Sequence, residues 1–140
     1  MNLAVQRPPD ASSQLDVVVV DDDQLTLEIV AWIFRDTQSR HQLFSDPDAA
    51  MVHLRERLPR ILIVDYYMPM QNGIDFLSQL HATVDMRNCS VYLCSAVTPQ
   101  KNQLDQIKAL GARIMDKTLM CSRASLLDLV ESPQHVTGNE

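Results

Sequence analysis

Three short and almost wholly apolar runs constrain the fold of this chain more than any other feature of its sequence. They are DVVVV at 16–20, ILIV at 61–64 and VYLCS at 91–95. Their β-branched and aromatic residues favour strands. Because the apolar residues are continuous rather than alternating, each predicted strand needs cover on both faces. This pattern is typical of a parallel sheet that lies between two layers of helices.

Apolar residues at helical spacing lie between these runs, so predicted strands and helices alternate along the chain. Asp46-Pro47 predicts a helix N-cap followed by proline at the first helical position. Five strand-helix units with short connections imply right-handed crossovers, and therefore an α/β fold with a doubly wound parallel sheet of five strands. The remaining predicted elements are strands at 41–45 and 112–116 and helices near 25–34, 49–54, 74–80, 99–110 and 122–131.

The composition fits one folded domain with polar ends. The chain has 140 residues, and we expect a folded unit over 16–131 between a flexible leader at 1–15 and a tail at 132–140. With 12 Lys and Arg against 18 Asp and Glu, the formal net charge is −6, which disfavours direct nucleic-acid binding.

No apolar run approaches the roughly 18 residues of a membrane span, and no signal peptide is evident. Three cysteines without a CxxC pair indicate a reducing compartment, so we expect a cytoplasmic protein.

Polar side chains follow the predicted strands at one edge of the sheet. The acidic run DDD at 21–23 follows the first strand, Asp65 follows the third, Ser95 ends the fourth, and Lys117 follows the fifth. Ligands of doubly wound sheets bind at this edge. Neighbouring carboxylates repel one another unless a cation intervenes, and Mg²⁺ prefers oxygen ligands. A carboxylate, a lysine and a hydroxyl beside Mg²⁺ suit phosphoryl transfer, in which a carboxylate can itself be the nucleophile.

These segments resemble the receiver domain of bacterial two-component response regulators. The resemblance rests on VVVVDDDQL, ILIVDYYMPMQNG, VYLCSA and the isolated Lys117, and it covers roughly residues 16–131. It implies a flavodoxin-like (βα)5 sheet with strand order 2-1-3-4-5. It also implies a phosphoprotein of phosphorelay signal transduction that is phosphorylated by a histidine kinase or a histidine phosphotransfer protein. Such a chain is a regulatory phosphoacceptor that signals to a downstream protein by conformational switching, rather than an enzyme with its own metabolite.

The resemblance assigns a role to each polar residue at the predicted edge. Asp65 would accept the phosphoryl group, Ser95 would donate a hydrogen bond to one phosphoryl oxygen, and Lys117 would pair with another. Tyr67 and Val97 would border the phosphoryl group, where neither side chain is suited to activate water. The ligands of the Mg²⁺ cofactor would be Asp21, Asp22, Asp65 and the backbone carbonyl of Tyr67.

Three positions depart from the family pattern. Thr118 follows the lysine where the family commonly has a proline after a cis peptide bond, so the loop that presents the lysine is predicted to be held differently. Ile114 stands where an aromatic switch residue is frequent, so the usual coupling of Ser95 to an aromatic rotamer is not predicted here. The last helix is short because Ser132-Pro133 ends it, which weakens the case for a dimer built on the last two helices.

Two alternatives follow from the same residues. A receiver-like interaction module that is not phosphorylated would share the fold, although the retained acids, serine and lysine argue against it. A haloacid-dehalogenase-type phosphohydrolase would use an Asp21-x-Asp23 pair, although Asp23 is otherwise predicted to be a surface residue at the start of the first helix. That family has a further acidic motif after its lysine, whereas only Asp128 and Glu131 follow Lys117 in the folded unit, and ILIVDYYMP stays unexplained.

Overall fold

Five parallel strands form one sheet between two layers of helices in a computed structural model that describes residues 14–131. The strands are β1 (Val17–Val20), β2 (His41–Phe44), β3 (Ile61–Asp65), β4 (Ser90–Ser95) and β5 (Ala112–Asp116). The helices are α1 (Gln24–Phe34), α2 (Pro47–Glu56), α3 (Gly73–His81), α4 (Lys101–Ala109) and α5 (Arg123–Glu131). The strands pair in the order β2-β1-β3-β4-β5, so the predicted flavodoxin-like fold and its strand order are confirmed.

Both faces of the central strands are covered, as their continuous apolar sequence predicts. Every residue of β1 and β3 is buried. One apolar cluster joins the sheet to α2, α3 and α4 through side chains that include Leu54, Phe76 and Ile107. A second cluster on the opposite face joins the sheet to α1 and α5 through side chains that include Ile33 and Leu126. The edge strand β2 is only partly buried, which explains its weaker apolar pattern.

Helix ends follow local hydrogen-bonding signals. Asp46 caps α2 by accepting a hydrogen bond from a backbone N–H two residues later, and Pro47 is the first helical residue, as predicted. The helix α4 begins at Lys101 rather than at 99 because Gln100 forms a capping box there. Gly111, with φ 76°, ends this helix in the left-handed conformation that favours glycine.

One element has no counterpart among the predicted helices and strands. A 3₁₀ helix, Lys117–Cys121, lies between β5 and α5. It buries only Met120, so its sequence carries no helical apolar pattern that could announce it. Because this short helix comes first, α5 begins at Arg123, one residue later than expected.

The first described residues pack against the folded domain, and the cysteines are not paired with one another. Of the predicted leader and tail, residues 1–13 and 132–140 lie outside the described residues. Gln14 Nε2 donates to the Leu58 carbonyl oxygen at 2.9 Å, and Leu15 packs against the core. Free thiols occur at the buried Cys89 and Cys94 and at the exposed Cys121. No helix among residues 14–131 is long and apolar enough to cross a bilayer.

Candidate functional site

The register of the sheet brings the predicted polar side chains to one edge. Adjacent strands β1 and β3 run in register, so Asp21 and Asp65 follow paired residues. Ser95 ends β4 and is paired with Asp116 of β5, directly before Lys117. Residues from four separate parts of the chain therefore meet at the carboxyl ends of the strands, where the doubly wound fold places its ligands.

Lys117 joins two buried carboxylates at the centre of this edge. Its Nζ lies 2.6 Å from Asp21 Oδ2 and 3.0 Å from Asp65 Oδ1. Asp21 is 1% exposed and Asp65 is 6% exposed. Burial of two carboxylates is costly unless a cation pairs with them, and the lysine ammonium supplies that cation to both.

Burial and neighbouring charges shift the pKa of Asp65 and the pKa of Lys117. Burial raises the pKa of Asp65 to about 6; the hydrogen bond from Lys117 opposes the shift, and the negative charge of Asp21 adds to it. For Lys117, burial acts to lower the pKa, but its hydrogen bonds to the two carboxylates outweigh burial and raise the pKa above its ordinary value. At neutral pH the lysine is therefore charged, and Asp65 is a carboxylate of unusual basicity.

Asp22 completes a cluster of three acids that fits a divalent cation. Unlike its neighbour Asp21, it is exposed. One carboxylate oxygen from each of Asp21, Asp22 and Asp65 lies within 4.8 Å of the others. Three carboxylates face one ammonium group, so negative charge is in excess at this edge. Two buried oxygen donors and one donor open to solvent suit a hard cation, such as Mg²⁺, that keeps some of its waters.

The Ser95 hydroxyl is bonded to the loop that follows β4. Ser95 Oγ donates to the Val97 carbonyl oxygen at 2.5 Å and accepts from Val97 N at 3.2 Å. The side chain is buried at the same edge as Asp65. In this conformation the hydroxyl hydrogen is thus engaged by the backbone of its own loop.

Close contacts at Gly73 shape the loop between β3 and α3. Gly73 N donates to the Tyr66 carbonyl oxygen at 2.8 Å. A Cβ at this position would lie 2.9 Å from the Asp65 carbonyl oxygen and would overlap Leu93 Cδ2. Tyr67, whose carbonyl is a predicted metal ligand, lies in this loop and is 56% exposed, and its ring is set edge-on against the ring of Tyr66. The glycine of the MPMQNG segment is the sequence signal for this close approach.

Asp23 is separated from the acid cluster by its role as the N-cap of α1. Its Oδ2 accepts from Thr26 Oγ1 at 3.0 Å and its Oδ1 accepts from Leu25 N at 3.1 Å. The first of these bonds is the largest cause of its lowered pKa. The predicted position at the start of the first helix is confirmed. The phosphohydrolase alternative needs Asp23 to act beside Asp21, whereas here its carboxylate serves the end of a helix.

The polar residues on either side of Lys117 form a pair that the sequence patterns do not predict. Asp116 Oδ1 accepts from Thr118 N at 3.0 Å and from Thr118 Oγ1 at 2.9 Å. The Lys117 loop is thus held by hydrogen bonds, and no cis peptide bond occurs within residues 14–131. The signal available in the sequence is Asp-x-Thr, which is typical of an Asx turn. Ile114, in the position of the frequent aromatic residue, is 40% exposed on β5.

Comparison with known proteins adds a family match and curated relatives. A family model described as the response regulator receiver domain matches residues 17–130. A protein-glutamate methylesterase/protein-glutamine glutaminase 1 of Chromobacterium violaceum is 28% identical over 118 residues, covering 81% of this chain and 32% of that protein. The putative two-component response regulator ARR21 of Arabidopsis thaliana is 30% identical over 100 residues, covering 70% of this chain and 16% of that protein. The chain thus spans about a third or less of the length of these relatives.

Solved structures share the fold at lower sequence identity. The chemotaxis protein CheY4 of Vibrio cholerae superposes with a TM-score of 0.72 at 18% identity, covering 85% of this chain and 98% of that one. The receiver domain of the Francisella response regulator 1452 has a TM-score of 0.69 at 22% identity, covering 86% of this chain and 97% of that one. At these identities the likeness concerns the fold alone.

Proposed function

Because this chain belongs to the response regulator receiver family, whose members are regulatory domains of two-component systems, we propose that Asp65 accepts a phosphoryl group from a phosphohistidine of a partner protein. The observation that carries this proposal is the contact of Lys117 with both Asp65 and Asp21, beside the exposed carboxylate of Asp22. A nucleophile, a fixed cation and a set of metal ligands on one edge are the parts that phosphoryl transfer needs.

Asp65 is the nucleophile in the proposed transfer. One of its carboxylate oxygens attacks phosphorus in line with the P–N bond of the donor. The new P–O bond forms as the P–N bond breaks, and the electron pair returns to the imidazole nitrogen. With a pKa of about 6, Asp65 is more basic than an ordinary aspartate and still ionised at neutral pH. Lys117 stabilises the charge on an equatorial phosphoryl oxygen.

The acid cluster makes the proposed reaction dependent on Mg²⁺. The residues that would hold the ion are Asp21, Asp22, Asp65 and the backbone carbonyl of Tyr67. When bound, Mg²⁺ neutralises charge on the phosphoryl oxygens. Without a cation, the three carboxylates repel an approaching phosphoryl dianion. The positive charge of a single lysine offsets only part of this repulsion. Asp22 contributes the carboxylate that is open to solvent, while the Asp21 carboxylate is already oriented by Lys117.

Ser95 links the proposed phosphoryl group to the protein surface. Its hydroxyl now donates to the Val97 carbonyl oxygen. In the phosphorylated protein Ser95 donates to a phosphoryl oxygen instead, which frees the loop between β4 and α4. Because Ile114 replaces the frequent aromatic residue, this loop itself carries the signal. The chain thus acts as a regulatory phosphoacceptor and does not turn over a separate substrate.

The proposed partners are proteins on both sides of the transfer. The donor is a histidine kinase or a histidine phosphotransfer protein, and the downstream target is a protein that distinguishes the two conformations of the loop after β4. The free thiols of Cys89, Cys94 and Cys121 support a reducing cytoplasmic location. The formal net charge of −6 supports protein partners rather than nucleic acid.

Intact-mass measurement after treatment with acetyl phosphate tests the proposal. In Mg²⁺ the wild-type chain should gain the mass of one phosphoryl group, and the gain should vanish with chelator or in Asp65→Asn. Asp23→Asn is the matched control, because it removes a charge from the same acidic run while asparagine still caps α1. This control should be phosphorylated like the wild type.

Other outcomes would favour the alternatives. Phosphate recovered on a histidine or serine peptide would contradict the assignment of Asp65. A folded wild-type protein that gains no phosphoryl group from either acetyl phosphate or a phosphohistidine protein would favour the unphosphorylated interaction module. Turnover of a phosphorylated metabolite would favour the phosphohydrolase.

A further inference from the structure

The residues on either side of Lys117 are bonded to each other across it. The Asp116 carboxylate precedes the lysine and accepts hydrogen bonds from both donors of Thr118, the backbone N–H at 3.0 Å and the hydroxyl at 2.9 Å. These bonds close an Asx turn around the Lys117 backbone. They therefore restrict the direction in which the lysine leaves β5.

The far end of the same segment is anchored in the core. Met120, in the 3₁₀ helix that begins at Lys117, is 1% exposed and belongs to the apolar cluster beneath α1 and α5. Met120 restrains the segment only from its carboxyl side. The turn made by Asp116 and Thr118 restrains the lysine from both sides, directly at the residue whose Nζ contacts Asp21 and Asp65.

Thr118 supplies both donors of this turn at the position where the family commonly has proline. Proline has neither a backbone N–H nor a hydroxyl, so it could donate neither bond. Valine would keep the backbone bond and lose the hydroxyl bond, whereas serine would keep both. Asp116 and Thr118 are both exposed, so core packing does not explain their arrangement.

We propose that Asp116 and Thr118 are positioning residues that hold Lys117 against Asp21 and Asp65 for phosphoryl transfer. The catalytic consequence rests on the proposed function, whereas the placement of Lys117 can be measured without any phosphorylation. A turn that served only to stabilise the fold would change the melting temperature and leave the lysine amine unaltered.

Acylation of the Lys117 amine by an acetyl ester, at trace extent and read by peptide mass spectrometry, measures that placement in the full chain. The wild-type amine should react slowly because two carboxylates pair with it. Asp116→Ala should raise its acylation rate about three- to tenfold, and Thr118→Val should raise it by a smaller factor. Asp116→Asn and Thr118→Ser should stay near the wild-type rate, because each keeps the acceptor or the donors of the turn.

A matched control comes from a turn of the same kind at the opposite edge of the sheet. Asp85 Oδ1 accepts from Arg87 N at 3.1 Å in an exposed turn before β4. Asp85→Ala therefore removes an Asx turn, together with the ion pair of Asp85 with the Arg87 guanidinium, and should leave the reactivity of Lys117 unchanged.

A double-mutant cycle tests the catalytic consequence. With acetyl phosphate and Mg²⁺, Asp116→Ala should slow the initial phosphorylation rate about three- to tenfold when Lys117 is present, and should have no further effect in the Lys117→Ala background. Equal slowing in both backgrounds, or unchanged acylation in Asp116→Ala and Thr118→Val, would overturn the inference. If even the wild type is not phosphorylated, the proposed function fails, and the acylation rates still decide the placement of Lys117.

Discussion

Asp65 is buried beside another carboxylate, and both conditions disfavour its ionised form. Its pKa is raised to about 6, first by burial, whereas an aspartate in an unfolded chain has a pKa of about 3.9. Between pH of about 4 and 6 the folded protein therefore keeps a proton that the unfolded chain has lost. It follows that the contribution of Asp65 to the free energy of unfolding is lost as the pH rises through this window.

This sign predicts that Asp65→Asn stabilises the metal-free protein more at neutral pH than in acid. At pH 7.5 the variant should exceed the wild type by about 1 to 3 kcal/mol in the free energy of unfolding. At pH 4.5 the difference should be smaller, because the wild-type carboxyl is then mostly protonated in the fold. Urea titrations of both proteins in chelator, at several pH values, measure the difference. A difference that grows as the pH falls would contradict the raised pKa.

The side chains beside the acceptor predict a long-lived phosphorylated state. Tyr67 lies two residues after Asp65 and is 56% exposed; Val97 lies two residues after Ser95 and is 55% exposed. Neither side chain is suited to take a proton from water, so both hinder the attack of water on the phosphoryl group rather than assist it. Tyr67→Asn combined with Val97→Glu should therefore speed the loss of phosphate in Mg²⁺, followed by intact mass after the donor is removed. Met70→Gln, at an exposed position of the same loop, is the control, and unchanged or slower decay in the double variant would refute the prediction.

At the scale of elements, the loop between β3 and α3 depends on a glycine that is packed rather than strained. A Cβ on Gly73 would meet Leu93 of β4 and the backbone of Asp65. Gly73→Ala should therefore cost about 1 to 3 kcal/mol in the free energy of unfolding. Because the clash includes the Asp65 carbonyl oxygen, Gly73→Ala should also be phosphorylated more slowly at Asp65. Denaturant unfolding and the initial phosphorylation rate measure the two effects.

Gly111 provides the contrast within the same fold. A Cβ there would meet nothing within 4 Å, but the residue has φ +76°. Gly111→Ala should cost about 1 kcal/mol through backbone strain alone, and Gly111→Asn should cost less because asparagine tolerates this conformation. Gly73→Asn should cost more than Gly73→Ala, since it adds atoms to an occupied space. Reversal of these two orders would show that the contacts at Gly73 are not what limits the loop.

At the scale of the whole molecule, the repulsion within the acid cluster links metal binding to stability. Mg²⁺ that binds the native acids and not the unfolded chain should stabilise the fold by about 1.4 kcal/mol at ten times its dissociation constant. For a domain of this size that corresponds to about 4 to 6 °C in the melting temperature. Thermal unfolding across a Mg²⁺ titration measures the shift.

Asp22→Asn separates the metal effect from general salt effects. The variant should show a smaller Mg²⁺-dependent rise, because one ligand charge is lost, and should not be less stable than the wild type without metal. Asp75→Asn, an acid in the first turn of α3, is the control that should keep the full rise. The absence of any shift in millimolar Mg²⁺ would show that the three acids do not share a cation.

The order of apolar runs and polar residues along the chain was sufficient to predict the layered architecture of this protein. The continuous apolar runs of β1 and β3 can be covered on both faces only inside a layered parallel sheet, and the acids that follow them must then share an edge with Ser95 and Lys117. The 3₁₀ helix at Lys117–Cys121 escaped prediction because it buries a single side chain and has no apolar period. The helix α4 begins at Lys101 and not at the predicted position 99, because the capping box at Gln100, rather than Pro99, sets the first helical residue.

Only the tertiary structure decided which partner each polar side chain has. Asp21 and Asp23 belong to one acidic run, yet Asp21 is buried 2.6 Å from the Lys117 ammonium while Asp23 caps α1. The pKa of Asp65 likewise depends on burial, which raises it, and on a lysine 52 positions away in the chain, which opposes the rise. Strand and helix patterns depend on residues that are neighbours in the sequence, so the sequence alone is enough to identify them. Hydrogen bonds and ionisation arise from distances between atoms that the chain brings together only when it folds.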